Sequence, residues 1–354
     1  MITRPDVQTT TVDADLVCPA CAVPLQVAVR ALDCPNCHSS WPVIDGVPHF
    51  IGDFPYWGEI SLEQMRQVNI AASTGSWKGL LTDSKDPAIQ QAAKMMLNID
   101  RANWHWLTDL SPNSRVLDLG AGSGAISHAL GLRYRQVVAV EPVLERVEFM
   151  RQRFSQEKLS NVRVLRSSLW KLPFANNSFD LVAMNGVLEW VPQGVEGDPG
   201  ELQVSALKKA FDLLRPGGYI YVGIENRMCP GYFIGYPDPH CGLPFVTILP
   251  RFAAHWYARK KGSSDGYRNY LYSSRGYRKL LQKSGFKQVE IYLALPSYNH
   301  PRFLIPIAGK AFEYYIQNFS SVPSGWLRKA LRAVFMKLQI LKYLEYSFVI
   351  LARK

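Results

Sequence analysis

From Arg115 onward, short apolar runs rich in branched residues alternate with stretches whose apolar positions recur every three to four residues. RVLDLG, QVVAVEP, NVRVLRS, FDLVAMNG and GYIYVGIE read as buried strands. ISHALGLRY, VLERVEFMRQRFSQEK and LQVSALKKAFDLLRPGG read as helices between them. RGYRKLLQKSGF then gives a helix, KQVEIYLA a strand, and EYSFVILARK a last strand. Strands alternating with helices join through crossovers, so the expected fold is α/β with a doubly wound, mostly parallel sheet. Residues 227–275 break the rhythm with Pro, Gly and aromatic residues and read as an insertion over the site. Residues 297–344 read as a second insertion, and the chain has no internal repeat.

The first strand ends in VLDLGAGSGAIS, residues 116–127, which sets Asp118 ahead of Gly120, Gly122 and Gly124. Glycines at such a turn let the backbone bend sharply and approach a ligand closely. Taken alone, G-x-G-x-G would also seat a dinucleotide. Glu141 ends the second strand, where a carboxylate can accept both hydroxyls of a ribose.

The acid before the first glycine in DLGAGSG resembles motif I of class I S-adenosylmethionine-dependent methyltransferases. Nucleotide-binding Rossmann proteins usually show G-x-G-x-x-G, and here Ala125 and Ile126 stand where that third glycine would fall. LRSSLWKLPFANNSFD resembles the family's segment along the adenine, with Ser168 where an Asp is common; Ser168 would accept the adenine amine more weakly. FDLVAMNGVLEWV resembles motif IV, and LLRPGGYIYV the motif V turn and strand. The resemblance covers about residues 110–225. It implies a seven-stranded Rossmann-like sheet holding S-adenosylmethionine at Asp118, Gly120, Gly122, Gly124, Glu141, Ser168, Leu169 and Asn185.

Upstream, CPAC at 18–21 and CPNC at 34–37 form two C-x2-C pairs. Two such turns packed together supply the four soft ligands of a closed tetrahedral zinc site, Cys18, Cys21, Cys34 and Cys37. Disulfides or redox thiols are the alternative. His38 and His49 are spare imidazoles, read as surface or fold residues. CPAC-x2-PL followed by CPNC-x3-WPVIDGVPHFI resembles the zinc-ribbon family that includes the small activator subunit of tRNA methyltransferases. That resemblance implies a structural zinc and a protein-binding or sheet-extending module without catalysis of its own. The domain plan is then a flexible lead-in over 1–15, a ribbon over 16–55, a helical lid or linker over 56–110 and the methyltransferase-like domain over 111–354. Within the linker, SLEQMRQVNIAAS and DPAIQQAAKMMLNIDRANWHWLTDL carry helical spacing, with Asp86 as N-cap before Pro87.

Apolar residues make up 47% of the 354, which excludes a largely disordered chain. No apolar run reaches the roughly 18 residues of a membrane span. The start of the chain lacks the apolar segment of a secretory signal, so a cytoplasmic location is expected. The net charge of +11 arises in residues 251–354, which hold 19 Lys/Arg against 4 Asp/Glu. GWLRKALRAVFMKLQILKYLEY places Leu327, Leu331, Val334, Leu338 and Leu341 on one face, with Arg328, Lys329, Arg332 and Lys337 on or near the other. Such a basic amphipathic helix fits peripheral contact with an anionic membrane, or packing on its own domain.

Asn185-Gly186-Val187-Leu188 lacks the N-P-P-Y run with which many nucleic-acid amino-methyltransferases stack a flipped base, which counts against a nucleic-acid partner. NGVLEWV is similar instead to methyltransferases acting on sugars, lipids and natural products. The expected acceptor is therefore a hydroxyl of a small molecule or glycan, lipid-linked if the basic helix meets a membrane. Methylating a hydroxyl needs a proton acceptor. The insertion carries Glu225, Asp238 and His240 around IENRMCPGYFIGYPDPHCGLPF, and His240 is read as the base with Asp238 orienting it, against a structural His capping a Pro-rich loop. Tyr236, Tyr298 and His300 are further candidates for substrate contact. A tRNA or rRNA methyltransferase, and a non-catalytic partner-binding protein using the ribbon, are the competing readings.

Overall fold

The computed structural model describes residues 15–319 and 340–354. The expected flexible lead-in and most of the basic C-terminal helix therefore lie outside the described residues. Where that helix was expected to end, Leu341–Tyr343 form one short 3-10 turn.

The ribbon consists of β1 (Gln26–Val27), β2 (Ala31–Asp33), β3 (Ser40–Ile44) and β4 (Val47–Pro48), paired antiparallel in that order. The helical segment follows as α1 (Leu62–Ser73), α2 (Trp77–Asp83) and α3 (Pro87–Met96). Ser61 opens α1 through a capping box with Gln64. Asp86 caps α3 as expected, its carboxylate accepting from the amides of Ala88 and Ile89 with Pro87 in the first turn. The long helix expected over 86–110 is broken, because Asn98 leaves the helix and caps a separate 3-10 helix, Ile99–Leu107.

The main domain runs through β5 (Arg115–Leu119), α4 (Ala125–Gly131), β6 (Gln136–Glu141), α5 (Leu144–Gln156), β7 (Val162–Arg166), β8 (Phe179–Asn185), α6 (Pro199–Leu213) and β9 (Leu214–Glu225). The segment 227–275 holds α7 (Pro230–Phe233) and α8 (Arg251–Lys260). The chain continues as α9 (Ser274–Lys283), β10 (Gln288–Ser297), β11 (His300–Pro306), α10 (Ala311–Asn318) and β12 (Ser347–Arg353). The sheet has eight strands in the order β11-β10-β12-β9-β8-β5-β6-β7. β7, β6, β5, β8 and β9 are mutually parallel, while β12, β10 and β11 add antiparallel. The eighth strand arises because the segment expected as an insertion from 297 begins with a tight hairpin that lengthens β10 into β11.

The parallel strands are buried on both faces, as their apolar runs require. Ile126, Leu130, Val147 and Met150 of α4 and α5 pack with Val116, Val137 and Leu181 on one face. Leu207, Ala210, Leu280 and Leu281 of α6 and α9 pack with Leu117, Val138 and Val182 on the other. The helical segment is fastened to the first face: Trp77 meets Phe149 edge-on at 5.1 Å, and its indole N–H donates to Gln156 at 2.9 Å. Arg153, 2% exposed, donates to the carbonyls of Met96 and Ser123, so one guanidinium clamps the end of α3 to the glycine turn. Among the described residues, no helix is long and apolar enough to cross a membrane.

Trp104 of the 3-10 helix is fully buried and stacks on Tyr221 of β9 at 3.6 Å with the rings 8° apart. Removing a large buried aromatic leaves a cavity that packing cannot close. Trp104→Ala is expected to cost about 3–5 kcal/mol, read as a lower urea midpoint at an unchanged slope.

Candidate functional site

Gly120, Gly122 and Gly124 all adopt positive φ, between β5 and α4. At Gly120 a Cβ would come within 2.6 Å of the Val187 side chain, and at Gly124 within 2.6 Å of Phe154. Those two glycines seat the turn against β8 and α5. A Cβ at Gly122 would meet only the Arg146 guanidinium, at 3.8 Å, and the Gly122 amide donates to the Glu141 carboxylate at 2.9 Å. Glu141 also accepts from the amide of Val143 at 3.1 Å, so its two oxygens are held by backbone and each keeps a lone pair for a further donor. Burial raises its pKa, opposed by the Arg146 guanidinium.

Asp118 is 1% exposed and accepts from Ser127 Oγ at 2.6 Å. Burial pushes it up to about 6 against that hydrogen bond. Ser168 and Leu169 follow the end of β7, where the amide of Ser167 donates to the Glu141 carbonyl at 3.3 Å. Asn185 ends β8, accepts from Tyr221 Oη at 2.6 Å and donates to Asn299 Oδ1 at 3.2 Å. Arg101 reaches the same Asn299 oxygen at 2.8 Å, while its Nε is buried with no partner. Glycine turn, Glu141, Ser168 and Asn185 thus share the C-terminal edge of the parallel strands, where ligands of open α/β sheets bind. S-adenosylmethionine fits this cradle. Glu141 has lone pairs open to ribose hydroxyls, Gly122 leaves room for the ligand, and the orphaned Arg101 N–H would suit a carboxylate.

A second group of side chains lies directly beside the first. Glu189 follows β8, Glu225 ends β9, and His240 sits at the tip of a tight turn. Asp238 builds that turn. One of its oxygens accepts from the backbone amide and Nδ1 of His240, at 2.8 and 3.1 Å. The other accepts from Thr247 Oγ1 and Tyr267 Oη, at 2.8 and 3.1 Å. His240 Nε2 lies 3.5 Å from Glu189 and 3.6 Å from Glu225, too long for hydrogen bonds. Tyr298 Oη donates to the other oxygen of Glu225 at 3.0 Å. Burial disfavours charge on His240, but the Asp238 hydrogen bond and Glu189 outweigh it and raise the imidazole to about 11. Burial first, then Glu189, pushes Glu225 up to about 7.

Asp238 and His240, expected as neighbours, lie side by side. The pair is not open to solvent as a loop pair would be, because Glu189 and Glu225 close over the imidazole. Glu189 was missed, since its only signal is a carboxylate in an otherwise apolar run. Tyr298 reaches this group, whereas the His300 ring pairs with Asn98 at 3.0 Å and Tyr236 is exposed, its ring against Gly231. Arg101 and Asn299 were also missed. A strap crosses the area: Trp57 lies 4.5 Å from Trp190, Arg146 stacks over Trp57 at 4.8 Å, and Glu59 pairs with Arg146 at 2.6 Å. Trp190 in turn packs edge-on against His240.

In the ribbon, the four cysteine sulfurs lie within 4.8 Å of one another. Cys21 and Cys34 are 3.3 Å apart and Cys18 and Cys37 3.5 Å, close to the roughly 3.8 Å edge of a tetrahedral zinc–thiolate site. The amides of Ala20 and Cys37 donate to Cys18 and Cys34 sulfurs, both at 3.4 Å. Cys18 and Cys34 are buried and Cys37 is exposed. His38 is exposed, and His49 is buried against Arg166, so neither joins the sulfurs. The ribbon docks on the edge of the main sheet: Phe50 N donates to the Arg166 carbonyl at 2.8 Å, and Val17 N to the Pro173 carbonyl at 3.0 Å.

The strand order and the glycine turn facing a strand-end carboxylate define a Rossmann-like domain of the class I methyltransferase type. Residues 117–222 match the family model described as a methyltransferase domain. A release factor glutamine methyltransferase of Shewanella oneidensis is 32% identical over 139 residues, 34% of this chain and 48% of the relative. A ubiquinone biosynthesis O-methyltransferase of Xanthomonas campestris is 32% identical over 147 residues, 41% of this chain and 56% of the relative. The chain thus spans about half the length of these curated relatives. A solved S-adenosylmethionine-dependent methyltransferase of Thermotoga maritima, a possible histamine N-methyltransferase, has a TM-score of 0.41 at 20% identity, over 75% of this chain and 93% of that one.

Zinc analysis of the purified chain is expected to give one ion per chain. A Cys34→Ser variant should lose it and lower the thermal midpoint, because metal binding supplies much of such a module's stability. Zinc-free protein with paired cysteines would contradict this.

Proposed function

We propose that the chain transfers the methyl group of S-adenosylmethionine to a hydroxyl of a small molecule or glycan, and that the ribbon holds a structural zinc. One observation carries the transfer reading. The Glu141 cradle and the Glu189–Glu225–His240 group adjoin, with Gly120 packed on Val187 and Gly186 beside both Tyr298 and Glu189. A methyl donor bound in the cradle would have its reacting end next to buried groups able to manage a proton.

The chemistry is an in-line displacement at carbon. The acceptor oxygen forms the new O–CH3 bond, the S–CH3 bond breaks, and the sulfur keeps its electron pair. The hydroxyl proton leaves to the cluster. There the carboxylates of Glu189 and Glu225 receive it, and the His240 imidazolium, held by Asp238, is the counter-charge that keeps them ionised and in place. The protein's share is alignment and exclusion of water, to which the Trp57 strap and the buried cluster contribute. An O-methyltransferase among the relatives agrees with a hydroxyl acceptor. Phe252 and Trp256, one turn apart on α8, are 79% and 63% exposed, near Arg259, Lys260 and Lys261. This face supports contact with an anionic membrane, which suits a lipid-linked acceptor.

Calorimetry is expected to detect S-adenosylmethionine binding, weakened by roughly 1.5–3 kcal/mol in Glu141→Ala. Tight binding of a nicotinamide dinucleotide instead would overturn the cofactor reading. With labelled cofactor, label should enter hydroxyl-bearing small molecules or glycans and little should enter total RNA. His240→Ala should lower turnover by about two to four orders of magnitude while cofactor affinity holds. Efficient labelling of RNA would replace the acceptor with nucleic acid, and full activity of the His240 variant would remove the cluster from the reaction.

A further inference from the structure

The cluster next to the cradle holds two buried carboxylates whose ionic partner is the single imidazole of His240, with no hydrogen bond joining the three. Glu189 is 1% exposed and neither of its carboxylate oxygens has a hydrogen-bond donor. Glu225 is 4% exposed, and its Oε2 is likewise buried and unpartnered. Buried carboxylates are costly unless paired, hydrogen-bonded or bound to a cation. The free oxygens converge with His240 Nε2 so that one donor atom from each residue lies within 4.8 Å of the others. Donors on one first-row cation, about 2.0–2.2 Å from it, stand roughly 3 Å apart when adjacent and about 4.3 Å when opposite. The separations of 3.5 and 3.6 Å from Nε2 to the two carboxylates fall inside that range.

We propose that Glu189, Glu225 and His240 form a binding site for a divalent first-row cation, with Asp238 and Tyr298 as its supporting shell. Histidines that bind metal usually give their other ring N–H to a carboxylate, which fixes the ring and aims the free nitrogen at the ion. His240 does this with Asp238, and Asp238 is itself held by Thr247 and Tyr267, so the cation takes the place of the Nε2 proton, which is released to solvent. Tyr298 holds one oxygen of Glu225 and so leaves the other facing inward. Two carboxylates and one imidazole suit Mn2+ or Fe2+, whereas the four thiolates of the ribbon select zinc. This keeps the site chemically distinct from the four cysteines of the ribbon. Three protein ligands also leave positions open, as in sites where a metal meets a substrate oxygen. Use of those positions by the acceptor hydroxyl rests on the methyl-transfer reading above; the binding of the cation does not.

Mn2+ is the probe, added to the purified chain after a mild chelator wash that leaves one zinc per chain in the ribbon, as checked by metal analysis. Electron paramagnetic resonance is expected to show one bound Mn2+ per chain, with pulsed spectra carrying the nitrogen coupling of a directly ligated imidazole. Glu225→Gln and His240→Ala should weaken binding at least 100-fold, and Asp238→Asn by about 10–100-fold. The nitrogen coupling is read on the unaltered protein, so it decides the matter even if a variant misfolds. A spectrum of free aqueous Mn2+ at millimolar protein, or bound Mn2+ without nitrogen coupling, would overturn the site. Equal binding by well-folded His240→Ala would do the same. Mn2+ bound as expected but no methyl transfer to any hydroxyl would leave the site standing and overturn the function reading. Transfer unaffected by removing the cation would overturn its use by the acceptor.

Discussion

The close approach of the glycine turn to the end of β8 sets the geometry of everything around it. Gly120 lies where no side chain could fit against Val187, and Gly124 where none could fit against Phe154. Those contacts bring the first strand's turn against the peptide that leaves β8, and so put Glu141 on one side and Glu189 on the other. An added methyl at Gly120 would face two penalties at once, a positive φ and a collision with a branched side chain. The two halves of the site are therefore built by one packing decision, not assembled separately.

What the sequence revealed was local. The glycine turn, the acid ending β6 and the paired cysteines are short patterns whose spacing carries their chemistry, and each is found in the expected element. The strand rhythm gave the parallel half of the sheet. It gave β11 less well, because His300–Pro306 follows β10 after a two-residue turn and reads as irregular chain. The break at Asn98 was hidden for a related reason: a helical apolar spacing continues across it, but the Asn side chain captures the Asp100 amide and starts a new turn.

The residues that eluded sequence reasoning meet through tertiary structure alone. Glu189 follows β8 and Glu225 ends the neighbouring β9, with the whole of α6 between them in the chain, and His240 arrives from a loop beyond them. Arg101 comes from the 3-10 helix before the main domain and Asn299 from the β10–β11 turn, and the Asn299 side-chain oxygen accepts from both Arg101 and Asn185. No spacing rule links such positions. Their common sign is that they are polar groups in places where apolar residues would be expected, and a long-range partner is what makes each tolerable.

The ribbon's attachment has a consequence for the sheet it touches. β7 is the outermost parallel strand, and such an edge offers unpaired amides and carbonyls to any passing strand. By placing Phe50 on the Arg166 carbonyl and packing His49 beside it, the ribbon shields the end of that edge nearest the cradle. The four sulfurs thus guard more than their own small fold. If they let go, a sticky strand border would be bared next to the cofactor cradle, and self-association would compete with folding. The cysteine module thus covers an edge that the larger sheet would otherwise leave unpaired.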